Sequence, residues 1–477
     1  MIQMTGFTFG QNVVDLVRYS NLQLQGSARF ESMGGSFGAL GADISSSLIN
    51  PAGYGRFSSS QFAIGMNYNS ISNSNDFQSQ NTISKKNVFK PSNLGIVFAN
   101  DVSHKNRGFL YNQFGFSYNR VDNFTDKIEY SGRMQNSLLD EYAASAGDLA
   151  PEMLPPFTSQ LAYVTYAIDK TLEGNYQVNL SSIDTMNHHR VVSTKGGVSE
   201  YTFSYSTNYL NRLYFGINWG LRTARYTEDY THTESQIGGP STSIDSFQYI
   251  YHLETRGNGS NFKFGAIYLP VPQLRVGLSF HTPTYYSLKD AWTADMSTVR
   301  NDTIYELIEG TAPTGDYKYR LRTPAKLIGS LAYVFGTRAS INVDVEYINY
   351  AGAKLRSTND PVYAPEPDEY VFQNAEAKSI LKPVVNIRVG GELVFQSQYF
   401  LRAGFGYYPQ PYETNVSAGT KAGTTISFGG GIKFGSSSFD LAYKMQSKNY
   451  NYYAFNASKT TINSTVNGFI LSYSVSF

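Results

Sequence analysis

The sequence predicts an all-β protein: a transmembrane antiparallel β-barrel of about fourteen strands with an N-terminal segment plugging its lumen. Three observations predict it. Charged residues make up 16% of the 477 residues and aromatics 15%, whereas soluble domains carry roughly 25% charged residues. No stretch matches the run of about 20 apolar residues that a spanning helix needs; Leu327 to Phe335 is the best, and it is far shorter and interrupted by Gly329 and Ser330. Apolar side chains instead alternate with small or polar ones, which gives a strand one lipid face and one luminal face.

Composition also excludes functions. Lys+Arg number 38 against 37 Asp+Glu, so the net charge is +1. Nucleic-acid binding would need a basic footprint, and none is present. Cysteine is absent, which excludes a disulfide scaffold, a thiolate metal site and a Cys nucleophile. Residues 1–10 carry no Lys or Arg, so no complete signal peptide is read there. Phe7 to Gly10 reads either as a clipped signal remnant or as an ordinary arm.

The elements follow in order. Residues 1–57 do not alternate. Gly26, Gly34, Gly35, Gly38, Gly41, Gly53 and Gly55 crowd this segment, with Leu40, Ile44, Leu48 and Ile49 between them. So little apolar surface cannot offset chain entropy, and the segment needs a container. A barrel of about fourteen strands has a lumen too wide for its own side chains to fill. Residues 1–57 are therefore expected as arm and luminal plug, and 58–477 as barrel.

Alternation then takes over. Phe62, Ile64, Met66 and Tyr68 face one way; Leu213, Phe215, Ile217, Trp219 and Leu221 oppose Gly216, Asn218, Gly220 and Arg222. Strands are expected at 58–72, 92–104, 108–123, 197–210, 212–228, 246–270, 273–289, 315–335, 339–351, 381–396, 398–409, 423–434, 437–451 and 465–477. Short connections such as 270–272, 336–338 and 435–437 alternate with long ones at 124–196 (the largest), 290–314 and 352–380. In the largest loop a helix is expected over 138–149, capped by Asn136 and closed before Pro151. Its apolar face serves either an external ligand groove or the packing of its own loop. The last strand places Phe469, Leu471, Tyr473, Val475 and Phe477 on one face.

No catalytic constellation, metal site or cofactor is read. His188 and His189 are adjacent and so face opposite ways on a strand. His281 lies on a strand, but no Ser sits in a nucleophile elbow and no carboxylate is visibly paired with a His. Gly429-Gly430-Gly431 lacks the Lys-Ser/Thr of a phosphate loop and reads as room for a bulky neighbour crossing the lumen.

The plug then resembles the N-terminal hatch of the FadL family, outer-membrane transporters of long-chain fatty acids and other hydrophobic compounds. The residues are Ser27-Ala28-Arg29, Met33-Gly34-Gly35-Ser36-Phe37-Gly38-Ala39-Leu40-Gly41-Ala42-Asp43 and Asn50-Pro51-Ala52-Gly53. Arg322-Thr323-Pro324-Ala325-Lys326, Asp344-Val345-Glu346-Tyr347 and Leu401 to Phe405 add weaker matches in the barrel. The resemblance implies a location in the outer membrane of a Gram-negative bacterium and passive uptake of hydrophobic compounds. Capture would occur at the loops, followed by hatch movement and lateral release into the bilayer. It implies hatch or gating roles for Gly34, Gly35, Asn50, Pro51, Ala52 and Gly53. Tyr473 and Phe477 resemble the C-terminal insertion signal of bacterial outer-membrane proteins. The expected partners are outer-membrane lipid and hydrophobic small molecules. The competing reading is a FadL-like barrel that does not transport. It would dock other outer-membrane proteins or lipoproteins in a secretion or insertion complex, with Pro361, Pro365 and Pro367 on a partner surface.

Overall fold

The alternation closes into a barrel in a computed structural model of the chain, which describes residues 12–21, 23, 25–104, 108–179, 185–237, 244–358, 370–413, 416, 421–455 and 458–477. Residues 1–10 and the three prolines of the 352–380 connection lie outside the described residues. Fourteen antiparallel strands form the wall. They are β1 (Gln61–Phe77), β2 (Gln80–Asp101), β3 (Phe109–Asn123, prolonged by Asp126–Met134), β4 (Met186–Tyr209), β5 (Leu213–Gln236), β6 (Ile244–Val271) and β7 (Leu274–His281, prolonged by Tyr285–Arg300). There follow β8 (Thr314–Arg322 and Lys326–Phe335), β9 (Ala339–Asn349 and Lys354–Ser357), β10 (Pro383–Phe395), β11 (Tyr399–Tyr408), β12 (Gly423–Phe434), β13 (Ser437–Tyr453) and β14 (Lys459–Ser476). The ring closes where β14 pairs with β1, setting Phe469 opposite Tyr68 and Val475 opposite Phe62.

Pro283 and Pro324 fall at the breaks in β7 and β8, where a residue without an N–H cannot serve the ladder. The breaks are neighbours, and the Thr284 N–H donates to Thr323 Oγ1 across them at 2.8 Å. Around the turn end of the barrel runs a band of outward-facing apolar residues. Phe215, Ile217 and Trp219 are each about two-fifths exposed, while Asn218 between them is fully buried. Such a continuous apolar belt needs a non-aqueous surrounding. No described helix is long and apolar enough to cross a membrane.

The strands extend beyond their expected loop ends. β4 begins at Met186 and not 197, β5 runs to Gln236, and β14 begins at Lys459. The largest correction lies between β1 and β2. Residues 73–91 were expected as connection, yet they pair, and the strands join through Gln78-Ser79 with φ of 47° and 63°. Paired positive φ values match the hairpin turn that follows strand twist. Past residue 72 both faces are polar (Asn73, Ser74, Asn75), so hydrophobic alternation fades where the strand leaves the apolar band.

Among the described residues two α-helices precede the barrel, α1 (Val13–Ser20) and α2 (Ala28–Ser32). After β3 come α3 (Leu138–Ala146), α4 (Ser159–Val164) and a small hairpin of Ile168–Lys170 with Tyr176–Val178. The cap of α3 is Ser137 and not Asn136: the Leu139 N–H donates to Ser137 Oγ, and Asp140 returns to the Ser137 N–H at 2.8 Å. Leu138, Leu139, Tyr142, Ala143 and Ala146 are buried against inward residues of the wall, among them Tyr130, Phe247 and Tyr249. The apolar face of α3 thus packs inward as a cap on the loop end. α5 (Val371–Ile380) buries Ala377 and Ile380 in a second cluster with Val13 and Leu16 of α1.

Candidate functional site

Three features meet inside the wall: a plug, a cavity above it and a seam beside it. The segment 25–57 is almost wholly buried and bonds to inward-facing side chains around the ring. Arg29 Nε and Nη2 donate to Glu392 of β10, both at 3.1 Å, and Arg402 and Asp440 continue that chain of charges at 2.6 Å each. Glu31 accepts from Lys444 Nζ at 2.6 Å. Asp344 accepts from the N–H groups of Phe37 and Gly38. Asn218 and Gln113 donate to the carbonyls of Ser47 and Gly55. His281 Nε2 donates to the Ile49 carbonyl at 2.9 Å, so this histidine anchors the plug. Within the plug, burial pushes the Asp43 carboxyl up, opposed by Arg29 and by hydrogen bonds from Ser27 and the Ser45 N–H.

Wall glycines make room for this backbone. A Cβ at Gly390 or Gly404 would strike Met33, one at Gly216 would strike Pro51 and Ala52, and one at Gly277 would strike Gly38. Gly429 abuts Ser32, so the triple-glycine stretch does leave room for a neighbour inside the lumen. That neighbour is the plug.

Asn50 Nδ2 donates to the carbonyls of Gly38 at 2.7 Å and Ala266 at 3.1 Å, while its Oδ1 accepts from the Ala52 N–H. Pro51 opens a 3-10 turn over Pro51–Arg56, and its carbonyl accepts from Ser206 Oγ at 2.7 Å. Ala52 packs with Tyr214, Ile267 and Leu269. Gly53 is not left-handed. A Cβ there would crowd Ser46, 2.6 Å from its Oγ and 3.1 Å from its Cβ, so Ser46 would have to shift. Gly34 and Gly35 do need glycine's freedom, with φ of 65° and 70°. Both also line the cavity, some distance from the Asn50 turn.

That cavity holds about 990 Å³, the size of a small-molecule site. α1 and the Gly34-Gly35 turn bound it on one side and the loop-end strands on the other. Its lining is mixed, not apolar throughout. Phe124, Tyr230, Tyr251 and Trp292 stand beside Arg18, Arg190 and Lys448. The Arg18 and Arg190 guanidinium carbons each lie 3.9 Å from the ring centroid of Tyr226 and Tyr230, respectively.

The seam lies between β2 and β3. Their ladder runs from Asp101–Tyr111 to Asn93–Asn119 and ends there. Two irregularities coincide with its end: β2 slips register against β1 at Ser92, beside Pro91, and β3 slips against β4 between Arg120 and Asp122. Beyond them the Asp126–Met134 half of β3 is held by side chains reaching from β1 and β2. Asn73 and Ser84 donate to the Lys127 carbonyl and Asn75 to that of Glu129. The plug enters the seam, with the Gln25 N–H donating to the Arg120 carbonyl at 3.1 Å. Residues 122–126 at the bend of β3 line the cavity. Sequence reading missed this place. Pro91 inside a strand was the available signal.

Tyr473 and Phe477 sit at the opposite end of the wall. Tyr473 Oη contacts Ser437 Oγ at 3.1 Å, and the Phe477 N–H donates to the Ser60 carbonyl. The histidines bring a correction. Carboxylates are paired with them: His252 Nδ1 lies 2.6 Å from Asp229, and Glu234 lies against both His188 and His232.

A closed fourteen-stranded barrel with an N-terminal plug defines a fold found among solved transporters. The structure is similar to the Pseudomonas putida toluene transporter TodX (TM-score 0.57, 14% identity, 95% of this chain and 99% of that one). It is also similar to a Pseudomonas aeruginosa FadL homologue (0.56, 13%, 95% and 98%) and to the Ralstonia pickettii toluene transporter TbuX (0.51, 13%, 95% and 99%). No protein-family model matches the chain, and neither does any curated protein.

Proposed function

We propose that the chain is an outer-membrane channel of a Gram-negative bacterium for the passive uptake of hydrophobic compounds, long-chain fatty acids among them. The observation that carries this reading is the path from the cavity to the seam. Residues 122–126 line the cavity, and the β2–β3 ladder stops beside them. Residues 1–57 are the hatch domain in this reading, and 58–477 the barrel. A solute taken in past the loops rests against the aromatic lining. Movement of Gln25 away from Arg120 then frees the seam, and the solute leaves sideways. Lateral exit is favoured because each CH₂ kept from water is worth about 0.8 kcal/mol. Release into water on the turn side would forfeit that. Gly34 and Gly35, between cavity and wall, are the proposed moving turn, and Asn50-Pro51-Ala52-Gly53 the fixed anchor about which it moves.

The chain has no cysteine, so a single introduced pair reports cleanly. Gln25→Cys with Arg120→Cys, joined by a short bis-methanethiosulfonate whose two disulfides a reductant cleaves, pins the plug at the seam. Uptake of a fluorescent fatty acid should fall to background when the link is formed and return on cleavage. Full cross-linking with unchanged uptake overturns the gate. Wild-type protein that takes up no probe, while other outer-membrane proteins co-purify with it in fixed ratio, replaces transport with the docking role.

A further inference from the structure

We infer that His188, His232 and Glu234 form a binding site for a divalent zinc-class cation, placed to lock the loop-end cap onto the barrel. The site follows from strand register. His188 of β4 stands opposite Glu234 of β5, and His232 lies two residues before Glu234 on the same strand. All three therefore face inward, and all are fully buried. Candidate ligand atoms from the three lie within 4.8 Å of one another. Glu234 Oε1 is 2.8 Å from His232 Nε2 and 3.3 Å from His188 Nδ1. Ligands of a tetrahedral zinc ion with bonds of about 2.0 Å stand about 3.3 Å apart, so small side-chain movements seat an ion.

The second observation is unspent bonding capacity. Nε2 of His188, Nδ1 of His232 and Oε2 of Glu234 have no hydrogen-bond partner. Polar atoms this deeply buried are normally satisfied. No Lys or Arg among the described residues forms an ion pair with Glu234. The nearest cation on these strands, Arg190, is held elsewhere: its guanidinium stacks on Tyr230 and its Nε donates to Tyr452 Oη at 3.0 Å. Two imidazoles and one carboxylate suit Zn²⁺ or its d-block neighbours and not Ca²⁺ or Mg²⁺, which take oxygen ligands. The rings of Phe77, Phe247 and Phe455 enclose the pair of histidines.

The surroundings give the ion a consequence. Glu234 Oε1 also accepts from the N–H of Leu138, the first residue of α3, at 2.9 Å. A cation on Glu234 therefore fixes the carboxylate that holds α3 to β5. The metal therefore tightens the attachment of the cap to the wall.

The test uses the full chain, purified in detergent and stripped with a chelator. Zinc content after re-addition and gel filtration should reach one ion per chain, and Co²⁺ should give the visible bands of a four-coordinate site. Glu234→Gln and His232→Ala should each weaken zinc binding about 100-fold or more. His189→Ala, changing the half-exposed neighbour, should leave it unchanged. Zinc should slow proteolysis within 135–179 in the wild type but not in the Glu234→Gln protein. If either ligand variant misfolds by the heat-shift gel assay, the wild-type stoichiometry and cobalt spectrum still decide. Wild-type protein that retains no zinc, or gives only a six-coordinate cobalt spectrum, overturns the site. So does zinc binding that survives both ligand substitutions.

Discussion

Asn50 donates to three carbonyls, one in the plug, one in β6 and, at 3.5 Å, one in β7, and caps its own turn. Asn50→Ala strands those buried partners, at a cost of about 2 kcal/mol. The expected outcome is faster hydrogen exchange over 38–57 with an unchanged barrel heat-shift; equal exchange in mutant and wild type would count against the anchor. Gly34 behaves differently. At φ 65° a Cβ would lie 3.0 Å from the Phe405 carbonyl, and the left-handed backbone costs a side chain about 1–2 kcal/mol. Gly34→Val should therefore displace the turn from β10 and β11, and proteolysis should newly cut near residue 34. The Asn-Pro-Ala-Gly turn was legible in sequence because it is local. The reason for Gly53 was not, since Ser46 lies seven residues away in sequence and meets it only through folding. His188 was unreadable for the same reason: its partners are 44 and 46 residues on, and register alone brings them together.

At the scale of elements, the wall was legible where one face is apolar and illegible where both are polar. β5 was read only as far as residue 228, whereas its outer end, through Asp229, Glu234 and Gln236, carries no alternation of hydrophobicity. Such outer ends pair because their neighbours already do, and the sheet propagates past the apolar band. The seam was hidden because a missing ladder leaves almost no mark on composition. The cap starts at α3, whose first turn rests on a reciprocal pair of hydrogen bonds between Ser137 and the helix. Ser137→Ala removes one half of it and should cost about 1 kcal/mol. Since α3 packs on the inward side chains of the wall's loop end and adds nothing to the strand ladder itself, the loss should appear as earlier proteolysis within 135–179. A lowered unfolding temperature of the barrel itself would show that cap and wall melt together.

At the scale of the molecule, strand pairing holds the barrel and the barrel holds the plug. The plug's contacts with the wall are chiefly polar, through Arg29, Glu31, Asn50 and the backbone at Phe37 and Gly38. Its own apolar clusters are small and borrow wall residues, as Ile328 does with Phe30, Met33 and Phe37. Residues 12–57 made alone should therefore show no cooperative melting, because so few apolar contacts cannot offset the entropy of ordering them. The converse deletion is more telling. A barrel lacking residues 12–57 loses partners for Glu392, Asp344 and Lys444. Those groups would then face a lumen that water can enter, and solvated charges do not carry the penalty of stranded buried ones. The deleted protein should keep its heat-shifted band on gels and form a wide aqueous pore. Hydrophilic solutes should pass in liposome swelling, while saturable uptake of a fatty-acid probe should vanish, because its site is bounded by α1 and the Gly34-Gly35 turn. A deletion that fails to fold would show that the plug is part of the barrel's stability, whatever its proposed part in gating. A deletion that folds but stays closed to hydrophilic solutes would mean that the cap of α3 and α4 seals the lumen without help from the plug.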